Sequence, residues 1–86
     1  MTYRVELKPA AHRQYRKLPL SVQERIVGAL ERLGQNPRPP GAQKLEAEEN
    51  LYRVRVRAYR VVYTIEDRKL LVLVVRIAHR RDVYRG

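Results

Sequence analysis

Four arginines fall within one short stretch, Tyr52-Arg53-Val54-Arg55-Val56-Arg57-Ala58-Tyr59-Arg60. In a strand, the period of two places Arg53, Arg55 and Arg57 on one face and Tyr52, Val54 and Val56 on the other. Each guanidinium presents a planar fork of donors that matches phosphate oxygens, and it stays charged at any working pH. The last segment, Arg76-Ile77-Ala78-His79-Arg80-Arg81-Asp82-Val83-Tyr84, adds Arg80 and Arg81. It also supplies His79, whose residue type ordinarily titrates near neutrality, and Tyr84, a phenol that can share a proton or stack on a base. Together these residues read as a phosphate-binding surface with candidate proton-transfer groups. If the strand beginning at Arg60 pairs with the one ending at Arg57, four like charges crowd one patch. An RNA or DNA backbone lying across that patch would relieve the repulsion. The alternative is an edge strand whose charges protect it from aggregation.

Composition points the same way. The chain has 86 residues, enough for one domain (1–86) with a single core, and 44% hydrophobic residues, which suits a folded globule. Its formal charge of +10 exceeds what solubility needs and implies a polyanionic partner. Residues 51–86 carry ten basic and three acidic residues, against nine and six in residues 1–50, so the second half is the expected binding half. No cysteine is present, which excludes disulfides and thiolate chemistry and fits an intracellular protein. His12 and His79, the only histidines, lie far apart with no carboxylate at ligand spacing, so neither a metal nor another cofactor is expected. No apolar run reaches membrane-span length, and the N-terminus has no signal-like core; the expected location is the cytoplasm, with no membrane partner.

The elements that must position these residues follow from periodicity. Tyr3 to Leu7 alternates as a strand and ends at Lys8-Pro9. A helix from Pro9 is indicated by Ala11, Tyr15 and Leu18 on one side, with Leu18-Pro19 closing it. Ser21-Val22-Gln23-Glu24 has the form of a capping box opening a second helix, whose apolar face is Val22, Ile26, Leu30 and Leu33 and whose stop is Gly34 with Asn36-Pro37. Arg38-Pro39-Pro40-Gly41 is a connection, with Leu45 as its anchor, followed by an acidic loop at Glu46, Glu48 and Glu49. Leu51 to Arg57, Arg60 to Glu66 and Lys69 to Ala78 read as three strands with turns at Ala58-Tyr59 and Asp67-Arg68. The expected fold is α+β: an N-terminal strand, a two-helix hairpin, then an antiparallel meander, with both helices on one face of a four-stranded sheet.

Essentially the whole chain resembles the RelE family of the RelE/ParE toxin–antitoxin superfamily. The likeness rests on the helical hairpin, Lys44-Leu45, Leu51-Tyr52-Arg53-Val54-Arg55, Tyr59-Arg60-Val61-Val62-Tyr63 and His79-Arg80-Arg81-Asp82-Val83-Tyr84. The resemblance implies a type II toxin that enters the ribosomal A site and cleaves mRNA by attack of a 2′-hydroxyl on the adjacent phosphate. It also implies a RelB-like antitoxin, which for a +10 surface should be acidic and partly disordered. The family's basic pair falls on Arg53 and Arg55, its arginine on the following strand on Arg60, its arginine after the last strand on Arg80, and its terminal tyrosine on Tyr84. Arg60 and Arg80 are then the clamp for the transition state, while Arg53, Arg55, Arg57 and Arg81 bind phosphate. Several members carry lysines where this chain has Arg53 and Arg55, so here those positions orient phosphate and do not accept a proton. His79 is the acid or base candidate, its alternative being a structural or surface histidine. Tyr84 stacks or transfers a proton, its alternative being an aromatic packed on the sheet. Two other readings remain open: a ParE-like toxin that binds DNA gyrase, and an inactive RelE-like domain that binds RNA or antitoxin only.

Overall fold

The computed structural model describes residues 2–45 and 50–79, so the acidic segment at Glu46, Glu48 and Glu49 lies outside the described residues. The described elements are β1 (Arg4–Leu7), α1 (Pro9–Arg16), α2 (Leu20–Gln35), β2 (Gln43–Lys44), β3 (Leu51–Val56), β4 (Tyr59–Glu66) and β5 (Leu71–His79). They form an α+β layer structure whose sheet order is β1-β5-β4-β3-β2. Strands β2 to β5 pair antiparallel, while β1 runs parallel to β5. The sheet thus has five strands, one more than expected. The extra one is the two-residue β2, too short to leave any periodicity in the sequence.

Both helices cover one face of the sheet. Ala11 of α1 and Ile26, Ala29 and Leu33 of α2 pack with Val56, Val61, Tyr63, Ile65, Val72, Val74 and Ile77 in one cluster. Tyr15, Leu18, Val22 and Leu30 are half-buried against it, which accounts for the apolar stripes of the two helices. The capping box does not form. Helix α2 starts at Leu20 with Pro19 as its N-cap and no side-chain cap, and the Pro19 carbonyl takes the amides of Val22 and Gln23 at 3.0 and 2.9 Å. Proline, which lacks an amide, already suits a helix entry, so Ser21 falls inside the first turn. Gln23 instead reaches back to donate to the carbonyl of Tyr15 at 3.0 Å, satisfying an orphan acceptor at the end of α1.

Gly34 does not stop α2, which runs to Gln35. A Cβ on Gly34 would stand 3.1 Å from the Tyr3 carbonyl oxygen, and the Tyr3 amide donates to the Gly34 carbonyl at 2.7 Å. The missing side chain lets β1 lie directly against the helix end. The stop is Asn36, which turns extended (φ −149°) ahead of Pro37 and accepts the Arg38 amide at 3.1 Å.

The connection from α2 to β2 is fastened by polar side chains. Arg38 makes a two-pronged contact with Asp67 at 3.2 and 3.0 Å, and the Tyr3 hydroxyl donates to the same carboxylate at 2.6 Å. Arg38 also donates from Nε to the Tyr52 hydroxyl at 3.2 Å, Tyr52 stacks on Tyr63 with 5.9 Å between centroids, and the buried Tyr63 hydroxyl donates to the Pro37 carbonyl at 2.8 Å. The hydrogen bond from Arg38, then that from Tyr3, holds the Asp67 carboxyl below the usual range. Burial pushes the Tyr63 phenol up to about 12.

Two outcomes follow. Tyr63→Phe leaves the Pro37 carbonyl without its donor inside the fold and should cost about 1–3 kcal/mol in denaturant melts. Asp67 titrates lower folded than unfolded. Its stabilising contribution is therefore fully present above about pH 4, the unfolded carboxylate value, and is lost as pH falls through the folded value. Asp67→Asn should flatten that part of the acid limb in a thermal-melting series.

Candidate functional site

The β3–β4 hairpin sets the geometry of the arginines. Its register pairs Arg55 directly with Arg60 and Arg53 with Val62, on the sheet face opposite the helices. The turn is one residue earlier than expected: Val56 pairs with Tyr59, so Arg57 and Ala58 form a two-residue loop. Arg57 therefore leaves the strand face of Arg53 and Arg55 and sits at the hairpin tip in left-handed backbone, φ 58°. No glycine or asparagine marks this turn, which is why the sequence did not fix its position.

Arg53, Arg55 and Arg60 converge with Gly41 and Gln43 on a cleft of about 330 Å³. Arg60 forms its inner wall and is only 3% exposed, whereas Arg55 is exposed at the rim. Arg53 is held in place by Gln43 of the neighbouring β2, whose side-chain oxygen accepts from Nε at 3.1 Å and from Nη2 at 2.6 Å. Gln43 is cross-strand from Arg53, so the short β2 exists where it can aim that guanidinium. Gly41, at φ 92°, bends the connection into the cleft wall without a side chain. Neither Gly41 nor Gln43 was expected at the site: Gly41 belongs to the connection, and Gln43 to a strand too short for periodicity to show.

His79 is not brought to this cleft. Between Val62 and Tyr63 the pairing of β4 with β5 slips by one residue: Val62 faces Arg76 but Tyr63 faces Val74. This bulge reverses the side-chain parity of the end of β5. It puts Ile77 in the core and His79 beside Tyr59, in an edge-on contact with 5.4 Å between centroids. His79 then lines a separate concavity of about 460 Å³ with Gln14, Lys17, Leu18 and Tyr59. The continuous apolar run of β5 hides such a slip, because no alternation exists to reveal it. Gln14 accepts the Ile77 amide at 2.8 Å just past the bulge, another contact with no sequence signal. Arg80, Arg81 and Tyr84 lie outside the described residues.

The arrangement of Arg53, Arg55 and Arg60 can bind and orient a phosphodiester and stabilise extra negative charge on it. Among the described residues no cluster of His, Cys, Asp and Glu could hold a metal ion. No helix among them is long and apolar enough to cross a membrane.

Comparison with known proteins gives a consistent picture. Residues 5–84 match the family described as ParE toxin of type II toxin–antitoxin system, parDE. The mRNA interferase toxin RelE of Escherichia coli (strain K12) is 31% identical over 88 residues, covering 98% of this chain and 92% of that protein. Among solved structures, the archaeal RelE-RelB complex from Pyrococcus horikoshii OT3 is similar with a TM-score of 0.82 at 27% identity, covering 93% of this chain and 97% of that one. The intact E. coli RelBE toxin–antitoxin complex is similar with a TM-score of 0.81 at 28% identity, covering 90% of this chain and 95% of that one.

The cross-strand pair Arg55 and Arg60 places like charges side by side. Arg55→Gln should therefore stabilise the isolated protein by roughly 0.2–1 kcal/mol in low-salt melts. The difference should shrink as salt or inorganic phosphate is added.

Proposed function

The chain belongs to the RelE/ParE family of type II toxin–antitoxin toxins, and on that premise we propose that it is a RelE-like mRNA interferase, an endoribonuclease that inhibits translation. The observation that carries this reading is the cleft where Arg53, Arg55 and Arg60 meet with Gln43. In the proposed reaction the 2′-hydroxyl attacks the adjacent phosphorus as its proton leaves to a base. The P–O5′ bond breaks, and the leaving oxygen takes a proton from an acid. Arg53 and Arg55 bind and orient the phosphate, while Arg60, with Arg80, neutralises the charge that grows on its oxygens. Arg57 and Arg81 add phosphate contacts, and Tyr84 stacks on a base or supplies a proton.

His79 has a smaller place in this scheme than its residue type suggests, because its ring lies with Tyr59 on the helix side of the sheet. The cellular setting is the cytoplasm, with ribosome and mRNA as targets. The regulating partner is a cognate RelB-like antitoxin, whose acidic, partly disordered chain suits the +10 charge. A ParE-like reading, in which the protein acts on DNA gyrase by binding, draws on the name of the matching family alone; the arginine cleft and the RelE relatives favour the nuclease.

The test is to add purified protein to ribosomes programmed with a defined mRNA and to map new RNA ends. Cuts at the A-site codon are expected, slowed about 100-fold or more by Arg60→Ala, which removes a transition-state contact. Tyr84→Phe should also slow them, and His79→Ala should slow them less than about tenfold, short of the usual effect of losing an acid or base. Intact mRNA with a protein that still arrests growth would replace this reading with the gyrase one.

A further inference from the structure

Arg57 and Gly28 are two residues whose local conformations cost stability, and they meet at one place. Arg57 holds left-handed backbone (φ 58°) in a turn where glycine or asparagine would sit without strain. Gly28 lies in the middle of α2, where alanine would be a better helix former; a Cβ there would meet only the flexible end of Arg32, at 3.6 Å. Packing therefore does not require glycine at 28. Both residues line a groove of about 370 Å³ between α2 and the hairpin, with Glu24, Arg25, Arg32 and Arg55. Arg25 and Arg32 are one helical face of α2, and both are exposed, as are Arg55 and Arg57. Among the described residues, none of these four arginines takes part in an ion pair.

The groove is continuous with the phosphate cleft. Arg55 lines both, and a small pocket of Arg55, Arg57, Tyr59 and Arg60 joins them around the hairpin tip. From this geometry we infer that α2 and the hairpin tip form a second RNA-backbone site, which holds phosphates of the same single strand beyond the one seated in the cleft. The inference rests on the reading of the cleft as an RNA site. Arg55 is the bridging residue, Arg57 is held by its strained backbone where the groove meets the small tip pocket, and Gly28 keeps the floor low enough for a ribose-phosphate chain to pass. Glu24 sits at the rim and sets one limit of the track, since a phosphate is repelled there.

The experiment measures anisotropy of labelled 2′-O-methyl RNA, which cannot undergo attack by a 2′-hydroxyl, as a trinucleotide and as a dodecanucleotide. The wild-type protein should bind the dodecamer more tightly than the trimer. The combined Arg25→Gln and Arg32→Gln variant should lower dodecamer affinity about tenfold and reduce the salt slope by about 1.4, the value for two phosphates of a single strand. Its effect on the trimer should be smaller, so that the ratio of the two affinities falls. Arg53→Gln, in the cleft, should weaken both ligands alike. Arg57→Gly should raise Tm while lowering dodecamer affinity, which a purely structural role for the residue would not produce. Equal wild-type affinity for trimer and dodecamer, or an unchanged ratio in the double variant, would overturn the inference. Length-dependent binding without cleavage on ribosomes would remove the nuclease reading and leave the groove standing; cleavage with no length dependence would do the reverse.

Discussion

Like-charge repulsion between Arg55 and Arg60 is the constraint on which this small fold turns. The two side chains are directly opposite across the β3–β4 pair, and neither can relieve the repulsion by losing its proton. What holds them together is the sheet. β4 lies in its interior with every residue from Arg60 to Tyr63 buried, and its register is fixed by the helix-facing Val61, Tyr63 and Ile65. A one-residue slip would carry those apolar side chains out of the core and so cost far more than the repulsion it relieved. The core thus forces the arginines into proximity.

The polar network at the other end of the sheet serves the same purpose at one remove. Arg38, Asp67, Tyr3, Tyr52 and Tyr63 bind the connection after α2 to the turn between β4 and β5 and to the N-terminal segment. That connection carries Gly41 and Gln43 into the cleft wall. Without it the two-residue β2 would have little to keep it paired, and Arg53 would lose the acceptor that aims it. Residues far from the cleft therefore govern how Arg53 is aimed into it.

The order of the long elements was legible because their apolar patterns are strong: Ile26 and Leu33 recur on α2, Tyr52, Val54 and Val56 alternate on β3, and β5 opens with the apolar run Leu71 to Val75. The arginine cluster was legible for a related reason, since alternation assigns Arg53 and Arg55 to one face whatever the turn. What escaped was set by single hydrogen bonds or single residues. Pro19 displaced the capping role expected of Ser21, the turn began at Arg57 without a turn-forming residue, and β2, two residues long, is known only by its pairing with β3 and the Gln43 contact to Arg53. The bulge opposite Val62 and Tyr63 had the largest consequence for the site, because one extra residue in β5 moved His79 to the other side of the sheet.

That displacement, together with arginine at both 53 and 55, sharpens the chemical problem. The described side chains lining the cleft are Gln43, Arg53, Arg55 and Arg60, none of which can take a proton from a 2′-hydroxyl. The cleft by itself is a clamp: it can fix a phosphate and favour the charge of a pentacovalent state, but it cannot complete proton transfer. The base and the acid must come from beyond those four side chains, from the terminal segment, from the RNA, or from the surface on which the RNA is presented. Under the nuclease reading, the cleft depends on groups that it does not itself carry. Confining its own contribution to binding and charge stabilisation would keep free RNA largely intact, because each half of the catalytic apparatus is ineffective until the other is aligned with it.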